Sequence, residues 1–474
     1  MKLYYQMKTK LLLLLLLTLQ FKAFAQKEAT NWYFGDKAGL NFSKGYAEAL
    51  ADGAMQQIEG CATISDPETG RLLFYTDGIT VWNRQHQIMP NGSGLLGHYS
   101  STQSALIVPY PNYPQRYFLF TVTSPRHEPT PSGLTYSIVN MELAGGLGDI
   151  EPTTKNTRLL SMTSEKLTAV PHANGRDYWI ITHGMDNNEF YIFLLTEAGI
   201  SGMNTFKIGS VYQLGKGLNE GQVGGYMKAS PDGKKLACAI LPAAGEPAPF
   251  ELFDFDAATG TVSNAVSLGN FLELYGISFS PDNSKLYLSS VFVTQFNLSL
   301  PTLQNVINSQ TVITPIPSSG YRQSLELGPD GRLYNTVGFN SFYVINYPNR
   351  AGMDCKPELV EFDFKGGSSL MGLPNFIQSY FNGLELDDEA SSCDFDSAIT
   401  IFPNPTDGVF TIATSAECFQ IKSITIYNSI GQLCATRQIN ETTIEIDISK
   451  LSSGLYFVHF TTDKGNIIRK IIKM

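Results

Sequence analysis

His172 and His183 bracket the apolar run Asp177–Thr182. Imidazoles bind metals, but a zinc site takes at least three protein ligands, and a third would have to come from elsewhere in the chain. On an extended strand the two histidines fall at opposite ends, so structural or turn roles fit them better. Asp254 and Asp256 lie two apart and therefore share one face of a strand. Paired carboxylates are the equipment of a glycosidase or lyase. These two stand at a strand end beside Thr259-Gly260, where turn hydrogen bonding explains them better. Leu214-Gly215-Lys216-Gly217-Leu218 contains a G-x-G but lacks the third glycine and a following helix, and reads as a turn. No H-E-x-x-H, G-x-S-x-G, Walker loop or EF-hand loop occurs. The sequence therefore nominates no catalytic, metal-binding or cofactor-binding residue, and calls for no cofactor. The 23 tyrosines and 29 phenylalanines could supply rings that stack on sugars, but core packing accounts for most of them.

The elements that would position such groups repeat. Turns at Asp66–Gly70, Pro111–Pro114, Pro171–Gly175, Ser230–Gly233, Ser280–Asn283 and Gly328–Gly331 each lead into an apolar strand. Those strands are Arg71–Tyr75, Arg116–Val122, Asp177–Thr182, Lys235–Ile240, Lys285–Ser289 and Arg332–Thr336. Several have a partner strand behind them, as at Tyr191–Leu195, Phe250–Phe255 and Phe342–Asn346. The recurring prolines 67, 111, 171, 231, 281 and 329 are about 52 residues apart on average, close to the length of a propeller blade. Tyr117–Phe120 and Tyr178–Ile181 are apolar on both faces, which requires cover on both sides. Stacked blades provide that, and no amphipathic helix lies between the strands to provide it otherwise. The pattern predicts an all-β chain: a β-propeller over 26–382 with seven blades, six and eight being the neighbouring counts. Trp32–Phe34 and Leu40–Phe42 are expected to close the ring against strands near Leu359–Phe364. Other two-sheet all-β folds are the structural alternative.

The composition agrees. Charged residues make up 16% of the chain and hydrophobic ones 43%, which excludes a disordered chain or coiled coil. The net charge of −10 argues against nucleic acid as a partner.

Both ends read as addresses. Lys8 and Lys10 precede the apolar run Leu11–Leu19, and Ala23-Phe24-Ala25 offers small residues for cleavage before Gln26. The run is too short to span a membrane, so residues 1–25 are expected to be a removed signal peptide, and no transmembrane helix is expected in the mature chain. Met7 gives a tidier signal than Met1 and is an alternative start. Cysteines 61, 238, 355, 393, 418 and 434 would then meet an oxidising compartment. Cys418 and Cys434 flank a strand pair, where a bridge and two packed thiols are comparable readings. An acidic linker over 383–398 precedes a separate unit, 399–474, whose strand candidates suggest a small β-sandwich.

That unit contains Pro403-Asn404-Pro405 with Gly408, Tyr427-Asn428 with Gly431, and Leu451-Ser452-Ser453-Gly454-Leu455-Tyr456, followed by a basic terminal strand. In order and spacing these resemble the type A sorting domain of the Bacteroidota type IX secretion system. The resemblance implies Sec export, then passage through the type IX machinery and handling by a sortase-like peptidase. The product would be a cell-surface or secreted protein exported across the outer membrane. Asp396-Ser397-Ala398 resembles the short O-glycosylation motif of these bacteria, with Ser397 as the acceptor. The opening Asn31–Phe42 and the close Gly372–Phe381 resemble secreted, WD-repeat-like propellers of the same bacteria. The expected function is an exported binding, adhesion or scaffold propeller for an extracellular glycan or protein. The alternative is a secreted hydrolase or lyase working in the propeller channel.

Overall fold

A computed structural model describes residues 27–125, 133–214, 222–241, 246–315, 323–384, 399–414, 421–429, 431–438, 443–462 and 466–474. The residues expected at the signal-peptide cleavage site, Ala23, Ala25 and Gln26, the Gly215–Gly217 segment, Cys393, Cys418 and Ser397 lie outside these. The chain divides into two compact units between Leu386 and Asp387.

The first unit is a propeller of seven antiparallel sheets. Blades 2 to 7 begin with the inner strands Ala62–Ser65, Ala105–Pro109, Leu167–Pro171, Met227–Ala229, Ile277–Phe279 and Leu325–Leu327. Each inner strand pairs with a second one: Leu72–Thr76, Arg116–Val122, Tyr178–His183, Lys235–Ala239, Lys285–Ser289 and Leu333–Gly338. These are the strands that follow the six repeated turns. A third and an outer strand complete each blade, and the outer strand of blade 3 is split into Asp149–Ile150 and Thr157–Leu160.

The turns explain why the repeat is visible. In each of the six, one residue takes a left-handed backbone: Gly70 (φ 72°), Asn112 (64°), Gly175 (72°), Gly233 (71°), Asn283 (64°) and Gly331 (76°). Only Gly and Asn adopt that conformation readily, so geometry dictates residue type at a fixed place in every blade. In blades 5 and 6 the serine before the proline donates to the aspartate after it, from Ser230 to Asp232 and from Ser280 to Asp282, each at 2.6 Å. All six turns lie on one face, the turn face. The links between blades, and those from second to third strands, lie on the opposite loop face.

Blade 1 corrects the expected closure. Its sheet holds only Asn31–Phe34, Ala38–Asn41 and Glu48–Leu50. Pro357–Glu361 is not its partner: that strand pairs with Ser341–Ile345 as the outer strand of blade 7. The returning chain joins blade 1 one turn later, where Asp36 and Ser368 exchange backbone hydrogen bonds of 2.9 and 2.8 Å. Beyond that point Pro374 runs parallel to Cys61 at the head of blade 2. Trp32, fully buried, seals the seam against Phe42, Tyr334 and Phe376 with ring centres 4.9–5.8 Å apart. Such contacts add to the burial of large rings.

The second unit is a β-sandwich. One sheet orders Ile399–Phe402, Val409–Thr414 and Thr443–Asp447. The other orders Leu433–Gln438, Ile421–Asn428, Gly454–Thr462 and Asn466–Lys473. Ile412, Ile424, Ile444, Val458, Phe460 and Ile471 form the middle of its core.

Candidate functional site: a filled bore and an open recess

The centre of a propeller is the usual place to look for a site. Here the chain itself occupies it. After Ser368 the returning segment passes from the loop face to the turn face. Near the top, Asn375 N donates to Cys61 O at 2.8 Å, and its side-chain amide donates to Ala105 O and Leu167 O at 3.2 and 3.0 Å. Midway, Gln378 Nε2 donates to Glu326 Oε1 at 2.9 Å. At the far end Gly383 N donates to Pro281 O, in a turn of blade 6, at 3.0 Å. Leu373, Asn375, Phe376, Ile377, Gln378 and Phe381 are all buried.

Gln103 locks this plug from the other side. Its amide nitrogen donates to Leu167 O, Met227 O and Asn375 Oδ1, while Oε1 accepts from Leu167 N and Met227 N. One side chain thus ties blade 3 to blades 4 and 5 and to the returning chain. Below it Lys228 and Glu326 form a fully buried ion pair between blades 5 and 7. Burial pulls the lysine pKa down and pushes the glutamate pKa up, and the pairing works against both shifts.

Two further carboxylates ring the mouth and are already engaged. Glu59 accepts from Ser100 Oγ at 2.9 Å and Tyr275 OH at 2.8 Å. Glu165 accepts from Thr102 N, Thr102 Oγ1 and Ser124 Oγ at 2.6–3.0 Å. Lys166 donates to Gly224 O and Gly225 O at 2.6 and 3.0 Å. These bonds fasten loops at the mouth to one another, and the one between Glu59 and Tyr275 joins the link into blade 2 to the link into blade 6.

The loop face carries a recess of about 310 Å³, lined by Ile58, Gln323, Thr336, Val337, Phe339, Leu370 and Met371 among others. It lies between blade 7, the head of blade 2 and the start of the returning segment. Phe339 stands at its rim, 73% exposed, with φ 54°. A bulky side chain in that region is a backbone outlier, and such outliers concentrate at functional sites. Ser369 Oγ holds it by donating to the Phe339 carbonyl at 2.6 Å.

The residues singled out in the sequence do not meet. His172 caps its turn by accepting from Asn174 N at 2.9 Å and rests on Trp179. His183, at the other end of the strand, is fully buried beneath Tyr212, with ring centres 3.7 Å apart, and Nδ1 lies 2.8 Å from Gly184 O. Asp256 accepts from Ala258 N and Thr259 Oγ1, both at 2.9 Å, as a turn residue does. Asp254 is held by Lys235 and Asn264. Among the described residues no group of three or more His, Cys, Asp or Glu is placed to hold a metal ion. Cys61, Cys238, Cys355 and Cys434 are free thiols, and the pairing of Cys434 with Cys418 lies outside the described residues. Burial pushes the Cys238 thiol up to about 12 and Cys355 to about 11, well away from the reactive thiolate.

In the sandwich the motif residues are structural. Asn404 accepts from Ile472 N at 3.0 Å and donates to Lys470 O at 2.9 Å, pinning Pro403-Asn404-Pro405 to the last strand. A Cβ on Gly408 would sit 2.8 Å from Ser449 Cα. Gly431 turns at φ 79°, Leu451 packs on the core, and Tyr456 OH donates to Ser452 O at 2.7 Å.

Sequence reasoning missed Gln103, Gln323 and Asn375. Each is a single amide in an irregular loop, and no periodicity marks it. The only signal was the Gly372–Phe381 segment as a whole.

Residues 400–474 match the family described as the secretion system C-terminal sorting domain. No curated protein matches the chain. Similar solved structures include hydrazine synthase from Kuenenia stuttgartiensis, with 12% identity over 72% of this chain and 94% of that one and a TM-score of 0.40. The periplasmic gluconolactonase of Pseudomonas aeruginosa is 12% identical over 94% and 99%, with a TM-score of 0.39. A putative 6-phosphogluconolactonase from Bacteroides fragilis is 12% identical over 82% and 98%, with a TM-score of 0.37. Among the described residues no helix is long and apolar enough to cross a membrane. The sorting domain at the C-terminus marks the chain as a type IX cargo, secreted or displayed at the cell surface.

Proposed function

We propose that this chain is an exported propeller that binds an extracellular glycan or protein through its loop face. In this reading residues 1–25 are removed at Sec export. The sandwich serves as the address for the type IX machinery, and a sortase-like peptidase cuts it off near the acidic linker. Ser397 in that linker is the proposed glycan acceptor.

The filled bore carries the reading. With Leu373–Gly383 inside it, the channel is occupied by the chain itself, and the carboxylates at its mouth are engaged in holding loops together. A hydrolase or lyase would have to work at the mouth instead. Rigid blades presenting irregular loops are the arrangement by which such scaffolds bind.

The test uses the full-length protein recovered from the medium, labelled and applied to defined glycan and peptide arrays. Saturable retention is expected, reduced at least tenfold by Ile58→Glu on the loop face and unchanged by Lys234→Glu on the turn face. Turnover of an array sugar, or retention lost through the turn-face change alone, would overturn it.

A further inference from the structure

We propose that the recess beside Gln323 binds a small, uncharged, planar ligand whose apolar body carries a carboxamide- or lactam-type edge. The inference rests on the reading of the loop face as a binding surface.

Size comes first. A cavity of about 310 Å³ is roughly twice the engineered cavity of about 150 Å³ that accepts benzene, and it reaches the lower end of natural ligand pockets. A two-ring body fits it. Polarity comes next. Ile58, Val337, Phe339, Leu370 and Met371 give apolar walls, and among the described residues no Asp, Glu, Lys, Arg or His lines the recess. A charged ligand would lose its hydration there without a counter-charge.

Gln323 sets the edge chemistry. It is 2% exposed, and both its amide nitrogen and its amide oxygen lack a hydrogen-bond partner. Buried polar groups are almost always paired, so an amide with both ends open calls for an explanation. A carboxamide presents a donor and an acceptor side by side. Its complement is an acceptor beside a donor in the same plane, which is the edge of a lactam or another carboxamide. Gln103 and Asn375 are satisfied by backbone and by each other, and Gln378 is paired at Nε2 though not at Oε1, whereas Gln323 is paired at neither end.

Phe339 supplies the fourth point. Its ring is exposed at the rim on a left-handed backbone that the Ser369 hydroxyl holds in place. An aromatic face kept at that position can stack on a planar ligand seated against Gln323.

The experiment titrates the full-length secreted protein with 2-quinolinone, naphthalene, 2-naphthoate and N-acetyltryptophanamide. Quinolinone is expected to bind saturably, at least tenfold tighter than naphthalene, with naphthoate weaker still. Gln323→Leu should erase the preference for quinolinone without lowering the melting temperature, because it removes an unpaired buried amide. Phe339→Gly relieves the left-handed strain, so it should raise the melting temperature while weakening quinolinone. Tighter binding of N-acetyltryptophanamide would place the natural edge on a protein partner, and tighter binding of quinolinone on a free small molecule. Equal binding of quinolinone and naphthalene by the unmodified chain, or no binding of any probe, would overturn the proposal. If array retention persists in that case, the loop-face reading stands without this site. If the arrays are blank as well, both fall.

Discussion

Gln103 and Asn375 are 272 residues apart in the chain, and their side-chain amides meet at 3.2 Å in the middle of the propeller. One belongs to the link into blade 3 and the other to the segment that returns down the bore. Ring closure therefore does not rest on sheet pairing alone. It also depends on two polar side chains whose partners come from blades 3, 4 and 5.

Replacing Gln103 with Leu should be severely destabilising. The backbone N–H groups of Leu167 and Met227 would lose their acceptor in a buried site. A stranded buried donor costs about 1–3 kcal/mol, so a total of roughly 3–5 kcal/mol is expected. Asn375→Leu should cost a similar amount. The double variant should cost less than the sum, because the two share a bond and a set of partners. Denaturant titration of the four proteins measures the coupling, and strict additivity would show that the amides act independently.

The Lys228–Glu326 pair makes a separate claim. Lys228→Met leaves a buried carboxylate with only neutral partners, Gln378 Nε2 and Leu327 N. Breaking a buried pair in this way costs about 3–5 kcal/mol. Lys228→Met combined with Glu326→Leu should recover most of that loss, since a well-packed apolar pair is often as stable as the ions. Thermal unfolding of the single and double variants would decide, and a double variant no better than the single would show that the charges themselves are required.

His183 predicts a pH dependence. Burial lowers its pKa from 6.5 to about 3, with the Lys166 ammonium contributing in the same direction. The unfolded chain takes up this proton near pH 6.5, but the folded chain does so only near pH 3. Between those values the unfolded state binds more protons, so stability falls as the pH is lowered. The loss approaches about 4 kcal/mol at the bottom of the window. His183→Asn keeps a donor for Gly184 O and removes the titration. Its melting temperature should fall less steeply than that of the unmodified chain from pH 6.5 to 4, and parallel curves would refute the assignment.

How much of this was legible in the sequence follows from what constrains each part. The blades were readable because Gly70, Gly175, Gly233 and Gly331 must be glycine where the backbone turns left-handed, and because strands covered on both faces stay apolar throughout. The sandwich was readable because Pro403, Asn404, Gly408 and Tyr456 each meet a local steric or hydrogen-bonding demand. Closure was misplaced onto Leu359–Phe364 because that stretch alternates like an edge strand, and it is one, in blade 7. The plug and the recess were invisible. Gln103, Asn375 and Gln323 sit in loops whose partners are set by the tertiary ring, and nothing in their immediate neighbours announces it.

The last prediction concerns the address itself. If the sorting motif acts through the shape of the sandwich, substitutions that loosen it should block export without touching the propeller. Asn404→Ala removes the two bonds that tie Pro403–Pro405 to the final strand, at a cost of about 1–3 kcal/mol. Gly408→Val drives a branched side chain into Ser449, at a position where even a Cβ comes within 2.8 Å of backbone. Both variants should accumulate inside the cell envelope with the propeller folded and protease-resistant, while Asn404→Asp, which keeps the acceptor for Ile472 N, should be exported in part. Immunoblots of medium, surface-shaved and retained fractions separate these outcomes. Full export of Gly408→Val would mean that the machinery reads a linear segment of the tail. Retention of that variant with the sandwich still folded would mean that the Gly408–Ser449 contact is part of the recognised surface.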